Sequence, residues 1–285
     1  FNDTATTEIY TRKDTLSLHD ALPISTRASS GFGWAVRDTL AMVWRNLTVI
    51  RRVPQLLVFS LVQPLIFVLM FRYVFGGAIN SGIPGLSYVD YLMPGIFVQT
   101  VGFGAISTAI GLAEDKNKGL LERLQSLPMS RSAVLAGRVL ADSTRNVLIV
   151  VMMLLVGFLI GFHTHTSVLE VAAAVAVLVF FGFALSWIFA LIGLVVANGE
   201  SAQAAAFPLL APLVFASSAF VPASTMPGVL RWWAERQPVS MTATAVRSLM
   251  LGNGIPRDYV WGSLLWSAGI SVLFGGLAIR KFRKR

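Results

Sequence analysis

A chain of 285 residues in which 55% are hydrophobic and only 13% charged, with a mean hydropathy of +0.70, is not a soluble domain; such a domain uses about a quarter charged residues to stay dissolved. It is an integral membrane protein. The absence of cysteine excludes a disulfide framework, thiolate metal sites and a thiol nucleophile, and the excess of 23 Lys and Arg over 14 Asp and Glu is assigned to the basic bias of cytoplasmic loops, not to a nucleic-acid partner.

Residues 1–30 have neither the basic start nor the apolar run of a signal peptide, show no helical period and do not begin with Met. They are read as a disordered or non-native leader, with the membrane domain occupying 31–285. From Gly33 to Arg52, Trp34, Leu40, Trp44, Leu47 and Ile50 alternate with basic residues at helical spacing, which predicts an amphipathic helix lying in the headgroup region.

Six runs of about 20 apolar residues, each sufficient to cross about 30 Å of hydrocarbon, are expected near 55–75, 91–112, 146–162, 168–196, 203–221 and 259–279. The fold class is therefore all-α. The third run is the shortest, and the fourth is long enough to tilt or protrude. Small residues crowd the second, from Gly95 to Gly111, and allow close helix approach. Pro208 and Pro212 remove two backbone donors from the fifth, which is expected to bend or unwind.

Basic residues before the first run, between the second and third, and after the last all fall on one side of a six-span arrangement. That side is the cytoplasm, with both termini there. The segment 222–258 opposes this rule, since it carries Arg231, Arg236, Arg247 and Arg257 on the outer side. Pro227 and Pro238 divide it into pieces too short to span, so short outer helices dipping into the interface are expected, with Trp232 and Trp233 at headgroup depth. A seventh span is the alternative.

Residues 114–145 carry ten charges. At roughly 3 kcal/mol for each charge at the bilayer centre, they belong in water or against protein. Leu120, Leu121, Leu124 and Leu127 form an apolar stripe opposed by Glu122 and Arg123, and Pro128 stops that helix; a second helix then leads into the third span. Glu114 with Lys118, and Arg138 with Asp142, have the i, i+4 spacing of surface pairs. The stripe either packs on the protein's own spans or docks a cytoplasmic partner.

At this stretch, "EDKNKGLLERLQSLPMSRSAVLAGRVLADSTRN", the sequence resembles the loop after the second span in membrane subunits of ABC-2 type exporters, especially those like the daunorubicin-resistance permease. A second stretch, "NGESAQAAAFPLLAPLVFASSAFVPASTMPGVLRWWAERQPVS", is similar to the family's fifth span and its outer exit, with Gln237 where the family usually has Asn before the proline. The resemblance spans about residues 33–285. It implies a half-transporter in the plasma (inner) membrane that pairs with a second membrane subunit, identical or different, and with separate ATP-binding cassette subunits holding ATP and Mg. It also implies that Lys118, Leu120, Leu121, Glu122, Arg123, Leu124 and Leu127 form a coupling helix, with 34–52 and the turn Ala197 to Ser201 as secondary contacts. The expected cargo is drug-like, lipidic or glycan.

The chain contains no G-x-x-x-x-G-K-[ST] phosphate loop, so no ATP cradle of that kind. His163 and His165 have no third ligand near in sequence and read as a plain outer loop. No H-E-x-x-H or G-x-S-x-G motif is present, so no catalytic residues are assigned. A secondary carrier or channel is the alternative function, although no Asp or Glu falls in the middle of an expected span. Phe103, Phe207, Leu210, Val214 and Phe215 are the candidate lining of a translocation path; ordinary packing explains the same residues.

Overall fold

The computed structural model describes residues 55–74, 86–120, 131–252 and 254–283. The leader 1–30, the amphipathic segment 33–52 and residues 121–130 of the expected coupling helix lie outside them. Among the described residues the chain is all helical: α1 Gln55–Tyr73, α2 Tyr88–Asn117, α3 Arg131–Ile160, α4 Val168–Val195, α5 Gly199–Phe215, a 3-10 turn Ala223–Thr225, α6 Gly228–Arg236, α7 Pro238–Leu251 and α8 Asp258–Arg283.

Each expected span coincides with a helix, and four of them (α2, α3, α4 and α8) are long and apolar enough to cross a membrane by length and composition. The helix starts are set by caps legible in the chain. Ser87 accepts from the Asp90 amide at 3.1 Å, Asn198 from the Ser201 amide at 2.8 Å, and Ser167 and Glu170 form a reciprocal capping box at α4.

Three boundaries differ from the sequence-based expectation. First, α3 is one continuous helix of 30 residues, so the expected second helix of the charged segment and the third span are a single element. Second, α5 keeps both Pro208 and Pro212 within an unbroken helix and does not unwind there. Third, α5 ends at Phe215, six residues before the expected end of the run. Ser217 Oγ donates to Val214 O and accepts from the Ala219 amide at 3.1 Å, local bonds that replace the next helical turn.

α2 and α4 form the buried centre, with α3, α5, α7 and α8 packed around them and α1 against α2 and α3. Close approach needs glycine at two points of α2. A Cβ on Gly95 would overlap the carbonyl of Ala219, and one on Gly111 would overlap the Arg138 guanidinium. With lipid outside, such contacts hold the helices by packing and hydrogen bonds, because hydrophobic burial offers little between spans.

The segment after α5 forms two short helices of 9 and 14 residues. At about 1.5 Å per residue the longer reaches about 21 Å, too short to span, which removes the seventh-span alternative. Pro238 opens α7 at its first position, where its missing donor is harmless. Gln237, between the two helices, is buried and donates from Nε2 to Ala216 O at 2.9 Å, tying this corner to the end of α5.

Candidate functional site

Polar side chains inside apolar helices mark the site. Gln63 of α1, Gln99 of α2 and Arg145 of α3 meet at a cavity of about 140 Å³, with Phe103 and Ile149 as its apolar walls. Gln99 is buried and its Oε1 has no partner among the described residues. Arg145 Nη2 donates to Gly104 O at 2.8 Å and to Ser107 Oγ. The cavity thus presents a guanidinium, an amide acceptor and an aromatic wall. Pockets for whole drug-sized molecules run to about 300–1,000 Å³; this one is of a size for a single polar group or a few waters.

A ladder of opposite charges leads from the end of α2 to that cavity. Asp115 Oδ2 lies 3.3 Å from Arg138 Nη1. Arg138 Nε faces Asp142 Oδ2 at 3.4 Å, an ion pair without hydrogen-bond alignment. Asp142 Oδ2 also accepts from Thr108 Oγ1 at 2.6 Å, and its Oδ1 lies 3.6 Å from Arg145 Nη1. The seven-residue step from Arg138 to Arg145 on α3 covers about 10 Å. The i, i+4 pair expected from spacing is present, yet Asp142 is buried against α2 and is not on a water-exposed surface.

Of the expected coupling residues, Lys118 is exposed and pairs with Glu114 at 3.5 Å, and Leu120 is half-buried. Leu121, Glu122, Arg123, Leu124 and Leu127 lie outside the described residues. The base of this segment meets the turn Ala197 to Ser201. Lys116 Nζ donates to Val196 O at 2.6 Å, capping the carbonyl end of α4, and Gly199 sits against the Glu114 side chain.

The five candidate path residues do not share one face. Phe103 and Phe207 touch in a tilted arrangement with centroids 5.9 Å apart, and Phe207 and Phe215 are exposed, whereas Leu210 and Val214 are sealed in the core. Phe215 belongs to an aromatic cluster with Phe67, Phe71 and Phe220, in which Phe71 and Phe220 stack at 4.9 Å. Sequence reasoning missed Gln63, Gln99 and Arg145. The available signal was an amide in the middle of each of the first two expected spans.

The four arginines that oppose the charge rule are all engaged. Arg231 pairs with Glu235 at 2.7 Å, Arg257 with Glu170, Arg236 lies over Trp232 at 5.0 Å, and Arg247 is buried against backbone carbonyls. The histidine loop is pinned through its backbone: the His163 amide donates to Asp90 Oδ1 at 2.9 Å and the His165 amide to Met250 O at 3.0 Å.

Comparison with known proteins agrees with this architecture. A family profile described as ABC-2 type transporter matches residues 37–251. The chain is 37% identical over 251 residues to the daunorubicin resistance ABC transporter permease protein DrrB1 of Streptomyces coeruleorubidus, covering 88% of each chain. It is 28% identical over 197 residues to the doxorubicin resistance ABC transporter permease protein DrrB of Mycobacterium tuberculosis, covering 65% of this chain and 66% of that one.

Proposed function

The chain belongs to the ABC-2 type transporter family, and on that premise we propose that it is the membrane half of an ATP-driven exporter of drug-like, lipidic or glycan cargo. It works with a separate ATP-binding cassette subunit and a second membrane subunit. ATP and Mg belong to the partner. Two of its relatives are named as daunorubicin and doxorubicin resistance permeases, which favours drug-like cargo. The polar cavity beside Phe103 suits one hydrogen-bonding group of such a molecule.

The observation that carries this reading is the ladder Asp115, Arg138, Asp142 and Arg145. It connects the base of the 114–130 segment, where a partner would push, to the cavity between α1, α2 and α3. A shift of α2 against α3 at the coupling end alters the pairing of Arg138, and through Asp142 the position of Arg145 at the cavity. In this reading α1 and α5 join the four longest helices as spans, with both termini in the cytoplasm and α6 and α7 outside.

Affinity purification of the tagged chain from its native membrane tests this. An ATP-binding cassette subunit should co-purify in near-equal amount, and the preparation should hydrolyse ATP. A chain that purifies alone, and transports alone under a proton gradient, is the secondary carrier of the alternative reading.

A further inference from the structure

Arg247 in the middle of α7 is 2% exposed, with no carboxylate at ion-pair distance among the described residues. Its Nε donates to Tyr91 O at 2.9 Å and its Nη2 to Ser218 O at 2.8 Å and Ala219 O at 2.7 Å, while the guanidinium lies 3.8 Å from the Tyr91 ring centroid. These contacts use three of five donors. Nη1 has no acceptor among the described residues, and Arg247 lines a cavity. That cavity, of about 340 Å³, is also bordered by the hydroxyl residues Ser240, Thr244 and Tyr259. Its one carboxylate, Glu235, is already paired with Arg231 at 2.7 Å. A buried cation without a counter-charge is costly, and the cavity offers donors to an oxyanion that would supply one.

Tyr259 stands at the start of α8, and seven residues further, about 10 Å along the helix, Trp266 heads an apolar groove that runs through Ile270 and Leu273. At about 100° per residue, Tyr259, Trp266, Ile270 and Leu273 fall on one narrow stripe. From Leu265 to Phe274 the groove is about 14 Å long, close to half of a hydrocarbon core of about 30 Å. We propose that this is a phospholipid site, with the phosphodiester on Arg247 Nη1 and the hydroxyls of α7 and α8, and one acyl chain along the α8 groove. A bilayer lipid fits both halves, whereas free phosphate fits only the first. The site is independent of which membrane face is outer.

Native mass spectrometry of the complex in detergent, with phosphatidylglycerol, diacylglycerol of the same chains, or inorganic phosphate added, tests the proposal. The phosphatidylglycerol adduct should persist at detergent concentrations that strip diacylglycerol. Thr244→Leu, which fills the cavity from a position making none of the Arg247 bonds, should weaken that adduct about tenfold, the loss of one charge-assisted contact. Tyr259→Phe, at the rim, should weaken it less; should the Thr244 variant fail to accumulate, this variant and the lipid comparison decide. Equal retention of phosphatidylglycerol and diacylglycerol, adducts unchanged in the variants, or phosphate binding as tightly as the lipid would each overturn it.

Discussion

Asp142 accepts from Thr108 and faces two guanidiniums, Arg138 and Arg145, so removing its charge leaves two half-buried cations, of which only Arg138 keeps an ion pair, with Asp115. Asp142→Ala should therefore destabilise the chain, by less than the about 3–5 kcal/mol of orphaning a fully buried charge, read as a lower unfolding midpoint in detergent. Replacing the pair together, Asp142→Leu with Arg145→Met, should restore much of that stability, because an apolar pair of similar volume is often neutral. The same double variant should still transport poorly if the ladder conveys movement. Normal, ATP-coupled transport by the stable double variant would show that the ladder only fills space. Gly111→Ala gives a separate handle: its new methyl occupies the position of the Arg138 guanidinium, so Arg138 must leave Asp115 and Asp142, and coupling should fall before the membrane level does.

At the scale of elements, hydropathy located a helix at each expected run, four of them long and apolar enough to cross a membrane, because lipid and protein interior make the same demand on side chains. The start of α3 escaped it. Arg138, Asp142 and Arg145 read as surface charges on a helix leading into the third span, and only the folded chain shows Asp142 buried on Thr108 of α2, with the charges neutralising one another. Arg247 escaped for the same reason: its partners are backbone carbonyls from α2 and the α5 exit, about 30 to 156 residues away, which no local pattern encodes. The coupling stripe was legible as a pattern, and its function is tested by Glu122→Lys with Leu124→Asp. A docking stripe predicts normal membrane level with lost partner pull-down; a stripe packed on the protein's own spans predicts loss of the protein. Topology is testable with single cysteines, since the chain has none of its own. A cysteine at Ser126 should label only from the cytoplasm and one at Ser224, which is exposed, only from outside; reversed labelling would invert the arrangement.

For the whole molecule, the central claim is that a membrane half with no phosphate loop is driven by ATP hydrolysed elsewhere and moves cargo outward. The direct measurement is uptake of a fluorescent anthracycline into inside-out vesicles containing this chain and its ATP-binding partner, with ATP or the proton gradient removed in turn. The account predicts uptake that requires ATP and the partner, survives collapse of the proton gradient, and falls with Glu122→Lys and Leu124→Asp at unchanged membrane level. Uptake that persists without ATP and stops when the proton gradient is collapsed would contradict it.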